Sequence, residues 1–309
     1  MSGLRKNMAC KLSLVIPCLD PNDKKLKELL ASIDKQDFPK EDMEVLVITE
    51  GTSESAKAIG IRRAKGDVIG FLASDNELTS LSALKELTWQ ASIDGASYSK
   101  HYYYDEKDNL LNRYFSLVGF NDPLAFYLHK CDRRPWVRLR KEQFEDYEFN
   151  PKGTTVGDNG FFVKKSLIEN TDLDNYYHID NANEINSEIT AMSTHYIWHK
   201  TGGNIFSFFT KRYRYGLQHA FNPNRRWHLV DFRKPQDIWR LICFILFTLT
   251  LVQPLSLSLR GYRKIQDVAW FIHPVACLLT LVTYTTLMIH LGLRNLFQSS
   301  SARMVAQRA

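Results

Sequence analysis

The sequence is short of cysteine and of cysteine patterns. Its five cysteines, Cys10, Cys18, Cys131, Cys243 and Cys277, are scattered over 309 residues, and no Cys-x-x-Cys occurs. That excludes a disulfide-stapled scaffold and a zinc site of paired Cys/His spacing, and it fits reduced thiols in a cytosolic catalytic part. Long basic runs are missing too. A net charge of +6 is too mild and too dispersed for bulk nucleic-acid binding; it suits an anionic ligand or a membrane surface. The opening stretch MSGLRKNMACK is basic but has no apolar core before the first strand, so no secretory signal peptide is expected.

What is there is apolar sequence in two patterns. The first is short and β-branched. Leu12–Ile16, Val45–Ile48 and Val68–Leu72 are mostly apolar runs of four or five residues, interrupted at Ser13 and Gly70; Pro17 and Asp20-Pro21 end the first, and polar or acidic residues close the other two. Between them, 24–35 carries Leu26, Leu29, Leu30 and Ile33 at helical spacing, and 53–66 carries Ala56, Ile59 and Ala64, with Gly66 as a stop. Strand, helix, strand, helix, strand predicts a doubly wound sheet. Ligands of such sheets bind beyond the carboxyl ends of the strands. Pro17, Cys18 and Asp20 follow the first strand, Thr49 and Glu50 the second, and Ser74, Asp75 and Asn76 the third. Asp75 and Asn76 fit a metal and phosphate site, or a turn cap. Asp20 fits a ligand contact, or a turn before Pro21. Lys57 fits an anion contact, or a solvated helix face.

Further along, Leu81, Leu84 and Leu87 predict a helix with Thr79 or Ser80 as N-cap, and 96–104 reads as a strand before a turn at 105–109 and another helix. Tyr102, Tyr103 and Tyr104 read as packing. Asp122-Pro123 is a helix start, in a segment that reads as a lid or acceptor-side insertion. His195 and His199 in THYIWHKTGG read as structural histidines.

The segments VIPCLDPN, VITEGTS, KAIGIRRAKGD and FLASDNE resemble the N-terminal half of family-2 glycosyltransferases, over roughly residues 12–215. The resemblance implies a GT-A nucleotide-diphospho-sugar transferase fold, a Rossmann-like mixed sheet, and transfer with inversion from a nucleotide-sugar donor. It implies Pro17 and Cys18 beside the base, Asp20, Glu50 and Lys57 around the nucleotide, and Ser74 with Asp75 at the diphosphate. Asp75 would hold a divalent metal, Mg or Mn. In TTVGDNGFF, Asp158 and Asn159 would bond sugar hydroxyls. Asp180, with Glu184 second, would take the acceptor's proton, although Asp180 also fits a helix N-cap. Arg212 and Arg214 would close on the donor diphosphate; they also fit a lipid phosphate or anionic headgroups. The sequence departs from the family at Thr49, at Lys57-Ala58 in place of Arg-Asn, and at Ala73, where the first carboxylate of the DxD motif would stand. A catalytically degenerate relative, serving as a binding or scaffold subunit of a glycan-assembly complex, is the alternative.

The second apolar pattern is long. Residues 238–259 and 267–293 are each long enough to cross a bilayer, joined by a short linker. The chain thus divides into a catalytic domain over 1–225 and a membrane-anchoring region over 226–309, read as a transmembrane helical hairpin. Arg225, Arg226, Arg233, Lys234 and Arg240 outnumber Arg260, Arg263 and Lys264 in the linker, which favours a catalytic domain at the cytoplasmic face of the membrane. A re-entrant or interfacial pair, with the basic groups at one headgroup surface, is the other arrangement, and two buried core helices a third. A membrane anchor points to a lipid-linked or glycan acceptor. An assembly of identical chains is compatible with the sequence; a nucleic-acid partner is not expected.

Overall fold

The computed structural model describes residues 11–130, 159–169, 191–200, 203–220 and 229–306. The chain divides into two compact units. Met1–Asn121 and His129–Thr201 form the first; Asp122–Leu128 and Gly202–Ala309 form the second.

The first unit is built on one mixed sheet, seven strands among the described residues. In chain order they are β1 (Leu12–Pro17), β2 (Met43–Ile48), β3 (Val68–Phe71), β4 (Asn76–Leu78), β5 (Ala96–Tyr102), β6 (Phe161–Lys164) and β7 (Ala191–His199). Their order across the sheet is β2-β1-β3-β6-β5-β7-β4. β2, β1 and β3 run parallel, as the three short runs predict. β6 lies antiparallel between β3 and β5, β5 pairs β7 in parallel, and β4 returns antiparallel along β7. The sheet is therefore mixed rather than wholly parallel.

β1 lies between β2 and β3 and is fully buried over Leu12–Ile16, Ser13 included, which is why it reads as a mostly apolar run rather than an alternating one. Helix α1 (Lys24–Asp34) packs Leu26, Leu29 and Ile33 on one face of the sheet, and Asp23 caps it by accepting from the Lys25 amide at 2.9 Å. Helix α2 (Ser53–Arg63) covers the other face with Ala56, Ala58 and Ile61, behind a Thr52–Ser55 capping box. It stops at Arg63, short of the Gly66 stop read from sequence, because Ala64 is already extended. Gly60 is the point of closest approach: a Cβ there would lie 2.3 Å from Val15 Cγ1. Helix α3 (Ala83–Asp94) is preceded by Ser82 rather than Thr79 or Ser80, and Ser82 makes no side-chain cap bond. Helix α4 (Leu110–Val118) follows the predicted turn with Asn109 as its cap. The short helix α6 (Lys165–Ile168) continues from β6.

The second unit is helical among the described residues. It contains α5 (Pro123–Tyr127), α7 (Ile205–Ala220), α8 (Pro235–Thr250), α9 (Val252–Lys264) and α10 (Ile272–Ala306), with a 3-10 turn at Val268–Phe271. The segment read as an acceptor-side insertion thus starts inside this unit. Asp122 caps α5 by accepting from the Leu124 and Ala125 amides. Leu124, Tyr127 and Leu128 share a core with Phe244 of α8 and Cys277 of α10.

Val268–Arg294 is long and apolar enough to cross a membrane. The first apolar stretch is not a single straight helix. α8 and α9 meet at a 75° bend, where Leu251 takes a left-handed φ of 58°. Pro254 explains the break: its ring would clash with the carbonyl of Thr250 if the helix ran on, but in the first turn of a new helix it costs nothing.

Candidate functional site

The site grows out of strand ends that the register sets side by side. Pro17 pairs with Ile48 and Val15 with Phe71, so β1, β2 and β3 finish on one edge. The Cys18 amide donates to the Ile48 carbonyl at 2.9 Å, carrying the β1 exit along β2. Cys18 is buried, and its thiol donates to the Asp20 carbonyl at 3.1 Å. Asp20 is exposed and accepts from the Asn22 amide at 2.9 Å, so it shapes the turn into α1. Glu50 bonds the Arg63 guanidinium at 3.1 and 3.3 Å in the open; an exposed pair of this kind is weak and releases easily. Lys57 is only 5% exposed. It is not on a solvated helix face.

The β3 exit is the most ordered part. Asn76 is buried, with both ends of its amide engaged. Oδ1 accepts from the Ala73 amide at 2.9 Å, and Nδ2 donates to Asn159 Oδ1 at 2.8 Å. Asn159 Nδ2 in turn donates to the Tyr102 hydroxyl at 3.1 Å. Asn159 sits before Gly160, whose φ of +78° and lack of a Cβ let it tuck against Ile197. Asn76 and Asn159 are therefore the frame of the 73–76 turn rather than its open donors. Ser74 and Asp75 form the tip of that turn.

Asp75 points at a residue the sequence reading left as structural. Antiparallel pairing sets Asn76 opposite His199, and His199 Nε2 lies 3.3 Å from Asp75 Oδ1. The Asp75 side chain is 26% exposed and that of His199 9%. Tyr102 packs on the His199 ring, centroids 5.1 Å apart. Burial pushes the Asp75 carboxyl up, but the charge and hydrogen bond of His199 and the charge of Lys25 outweigh it. Its pKa lies below the usual carboxylate range. Around this pair runs a polar clamp. The Lys200 amide donates to the Asp75 carbonyl at 2.8 Å, and Lys25 Nζ donates to the Lys200 carbonyl at 2.7 Å. Lys200 Nζ pairs with Glu28 at 2.9 Å and with Glu77. Burial works against the Lys200 charge, yet the bonds to Glu77 and Glu28 prevail and raise its pKa. The clamp ties β4, β7 and α1 together behind the Asp75 turn.

Among the described residues no three His, Cys, Asp or Glu side chains gather into a metal cage. Asp75 and His199 offer two donors, one carboxylate oxygen and one imidazole nitrogen. Among the described residues His199 Nδ1 is buried without a hydrogen-bond partner, so Asp75 at Nε2 is the group that orients the ring. Such a pair fits a hard divalent ion that draws its remaining ligands from phosphate and water.

The other expected residues lie elsewhere. Asp158, Asp180 and Glu184 fall outside the described residues. Arg212 and Arg214 sit on α7 in the second unit, in a helix rather than a mobile loop. Arg214 is exposed. Arg212 is ion-paired with Asp122, which also accepts from the Tyr284 hydroxyl at 2.7 Å.

No family model matches the chain, and no curated protein matches it in sequence. Solved structures share its general course. The mannosyltransferase PcManGT from Pyrobaculum calidifontis, in complex with GDP-Man and Mn2+, is 11% identical with a TM-score of 0.49, over 90% of this chain and 87% of that one. S. aureus TarS 1-349 with UDP-GlcNAc is 14% identical with a TM-score of 0.45, over 90% of each chain. GalNAc-T7 with UDP, GalNAc and Mn2+ is 13% identical with a TM-score of 0.39, over 62% of this chain and 43% of that one. At these scores the likeness is one of general course and assigns no chemistry.

Proposed function

We propose that the chain is a membrane-associated glycosyltransferase of the GT-A type, moving a sugar from a nucleotide-sugar donor to a lipid-linked or glycan acceptor with inversion. The observation that carries this reading is the Asp75–His199 pair at the exit of β3, beside the ends of β1 and β2. A nucleoside diphosphate laid along that edge meets Pro17, Cys18 and Glu50 with its base and ribose, and Ser74 and Asp75 with its phosphates. Asp75 and His199 are the residues to hold Mg or Mn there. Bound, the ion neutralises the charge that develops on the leaving diphosphate. The chain's own part is to hold Asp75 ionised before the ion binds, which His199 and Lys25 do, and to keep the turn fixed, which Asn76 and the Lys200 clamp do; His199 would give up its Nε2 proton to become a ligand. Lys57 places a buried amine on α2.

Asp180, with Glu184 second, is assigned as the base that takes the acceptor hydroxyl's proton, with Asp158 toward the sugar hydroxyls. If the acceptor is itself a phosphate, its low pKa removes most of the need for a base. Asp180→Asn then leaves turnover nearly intact, whereas with a hydroxyl acceptor it lowers turnover by about 100-fold or more. Membrane association rests on the Val268–Arg294 span. The scaffold alternative is favoured by Ala73 at the place of the first DxD carboxylate and by Thr49 at the place of the first acid after the second strand.

The test is donor turnover by the full chain in detergent with Mn2+, across a panel of nucleotide sugars. Nucleotide release from one donor, lost in Asp75→Ala and His199→Ala, supports the transferase; product anomeric configuration, read by NMR, checks inversion. Donor binding without any turnover, to any acceptor lipid extract or to water, supports the scaffold.

A further inference from the structure

The helices of the second unit present apolar side chains that nothing among its described residues covers. On α8, Trp239, Ile242, Leu246 and Leu249 recur at helical spacing along one exposed stripe; Trp239 and Leu249 are each 65% exposed. The stripe continues across the bend at Val252 and onto α9 with Leu255 and Leu259. The opposite face of α9 is fully used. Pro254, Ser258 and Gly261 are buried, Ser258 Oγ donates to the Trp270 carbonyl at 2.8 Å, and Gly261 gives way to the Trp270 ring, which a Cβ would meet at 2.3 Å. α9 therefore cannot roll to hide its leucines.

Beside the apolar strip of α9, Arg260, Arg263 and Lys264 are all exposed. Turned through 100° per residue, they follow Val252, Leu255 and Leu259 around the outward face as an adjoining basic sector. Apolar strip next to basic sector is the section of a helix lying in a membrane interface. A helix that crossed the bilayer would bury these three charges or carry them to the far side. At 75° to α8, α9 runs nearly in the membrane plane when α8 stands along the normal.

We propose that α9 is an in-plane interfacial helix that seats Val252, Leu255 and Leu259 among acyl chains and binds anionic lipid headgroups through Arg260, Arg263 and Lys264. The bend at Leu251 and Pro254 is the device that turns the chain from α8 into the interface. This assignment stands on the second unit alone and does not require the transferase reading.

The test uses the full chain reconstituted in vesicles of equal parts phosphatidylcholine and phosphatidylglycerol. A fluorescent noncanonical residue is placed singly at Val252, Ser256 or Leu259, which share one face and spare the basic groups. Its depth is read by quenching with lipids brominated at successive acyl positions. An in-plane helix puts the three reporters within about 3 Å of one depth; a spanning one spreads them over about 10 Å, at 1.5 Å per residue. Quenching by headgroup-labelled phosphatidylglycerol exceeds that by headgroup-labelled phosphatidylcholine in the native chain. In the variant Arg260→Gln, Arg263→Gln, Lys264→Gln the ratio falls to one, at unchanged depth. A depth gradient along α9, or equal quenching by the two lipids in the native chain, would overturn the proposal. So would reporters that no lipid quenches, which would place a protein surface over the stripe.

Discussion

Replacing Asn76 by alanine is the sharpest test of how the Asp75 turn is held. The change removes two hydrogen bonds, a partly buried one from the Ala73 amide at 2.9 Å and a buried one to Asn159 at 2.8 Å. Each is worth about 1 kcal/mol net, and the partners left buried add about 1–3 kcal/mol where water cannot reach them. A loss of about 2–4 kcal/mol follows, without any charge change. For a unit of this size that lowers the thermal midpoint by roughly 5–15 °C. The assay is thermal unfolding of the detergent-solubilised chain, followed by near-ultraviolet circular dichroism, beside hydrogen exchange at Ala73. That amide is protected by the Asn76 side chain and nothing regular in the sheet, so it should exchange faster in the variant. Asn76→Asp keeps an acceptor for the Ala73 amide but sets an oxygen against Asn159 Oδ1. Turning the Asn159 amide relieves this, with the Tyr102 hydroxyl then donating to its Oδ1, but a carboxylate charge is left at a buried position, so this variant also loses stability. An unchanged midpoint together with unchanged Ala73 exchange in Asn76→Ala would refute the account of the turn.

Three further outcomes are expected. Gly60→Ala gains about 1 kcal/mol of helix propensity but drives a methyl 2.3 Å from Val15 Cγ1; overpacking at about 1–3 kcal/mol should win, so chemical denaturation should show a less stable protein, and a more stable one would mean α2 sits farther from β1. Arg212→Met leaves Asp122 buried beside Tyr284 and should cost about 3–5 kcal/mol, partly recovered by adding Asp122→Asn, both read as thermal midpoints in detergent; a silent Arg212→Met would show the pair to be dispensable. The Asp75 carboxyl, held below its unfolded pKa, contributes stability that is full above the ordinary carboxylate range and lost as pH falls through the folded value. Asp75→Asn should therefore destabilise at neutral pH and flatten the acid limb of a stability-against-pH curve, and a parallel shift at every pH would contradict that sign.

Much of the parallel side of the sheet was legible because it is simple. β1, β2 and β3 are short, mostly apolar runs rich in β-branched residues, and parallel pairing needs little more. The ends moved by a residue or two where caps decide, as at Ser82 and Ala64. The antiparallel members were harder. β4 is three residues long, and only its pairing with β7 brings His199 to Asp75. No local signal marks His199, since its neighbours in sequence are ordinary strand residues; the clue lay in the sheet order. Lys57 read as either an anion contact or a solvated residue because it sits in a polar, weakly patterned helix; α2 is pressed onto the sheet at Gly60 and Lys57 is buried, which removes the solvated reading. Asn76 looked like a ligand because it adjoins Asp75, but alternation in β4 turns it the other way. The long apolar stretch at 238–259 was read by composition, which does not see a break. Pro254 was the signal for it, through the carbonyl of Thr250.

The central claim is that Asp75 and His199 hold a divalent ion on a nucleoside diphosphate. Calorimetric titration of a nucleoside diphosphate panel into the detergent-solubilised chain, with and without Mn2+, tests it most directly. The account predicts that one nucleotide binds with Mn2+, binds far more weakly without it, and loses that dependence in Asp75→Ala and His199→Ala. Folded protein that binds no nucleotide, or that binds one equally with and without the metal, would contradict it.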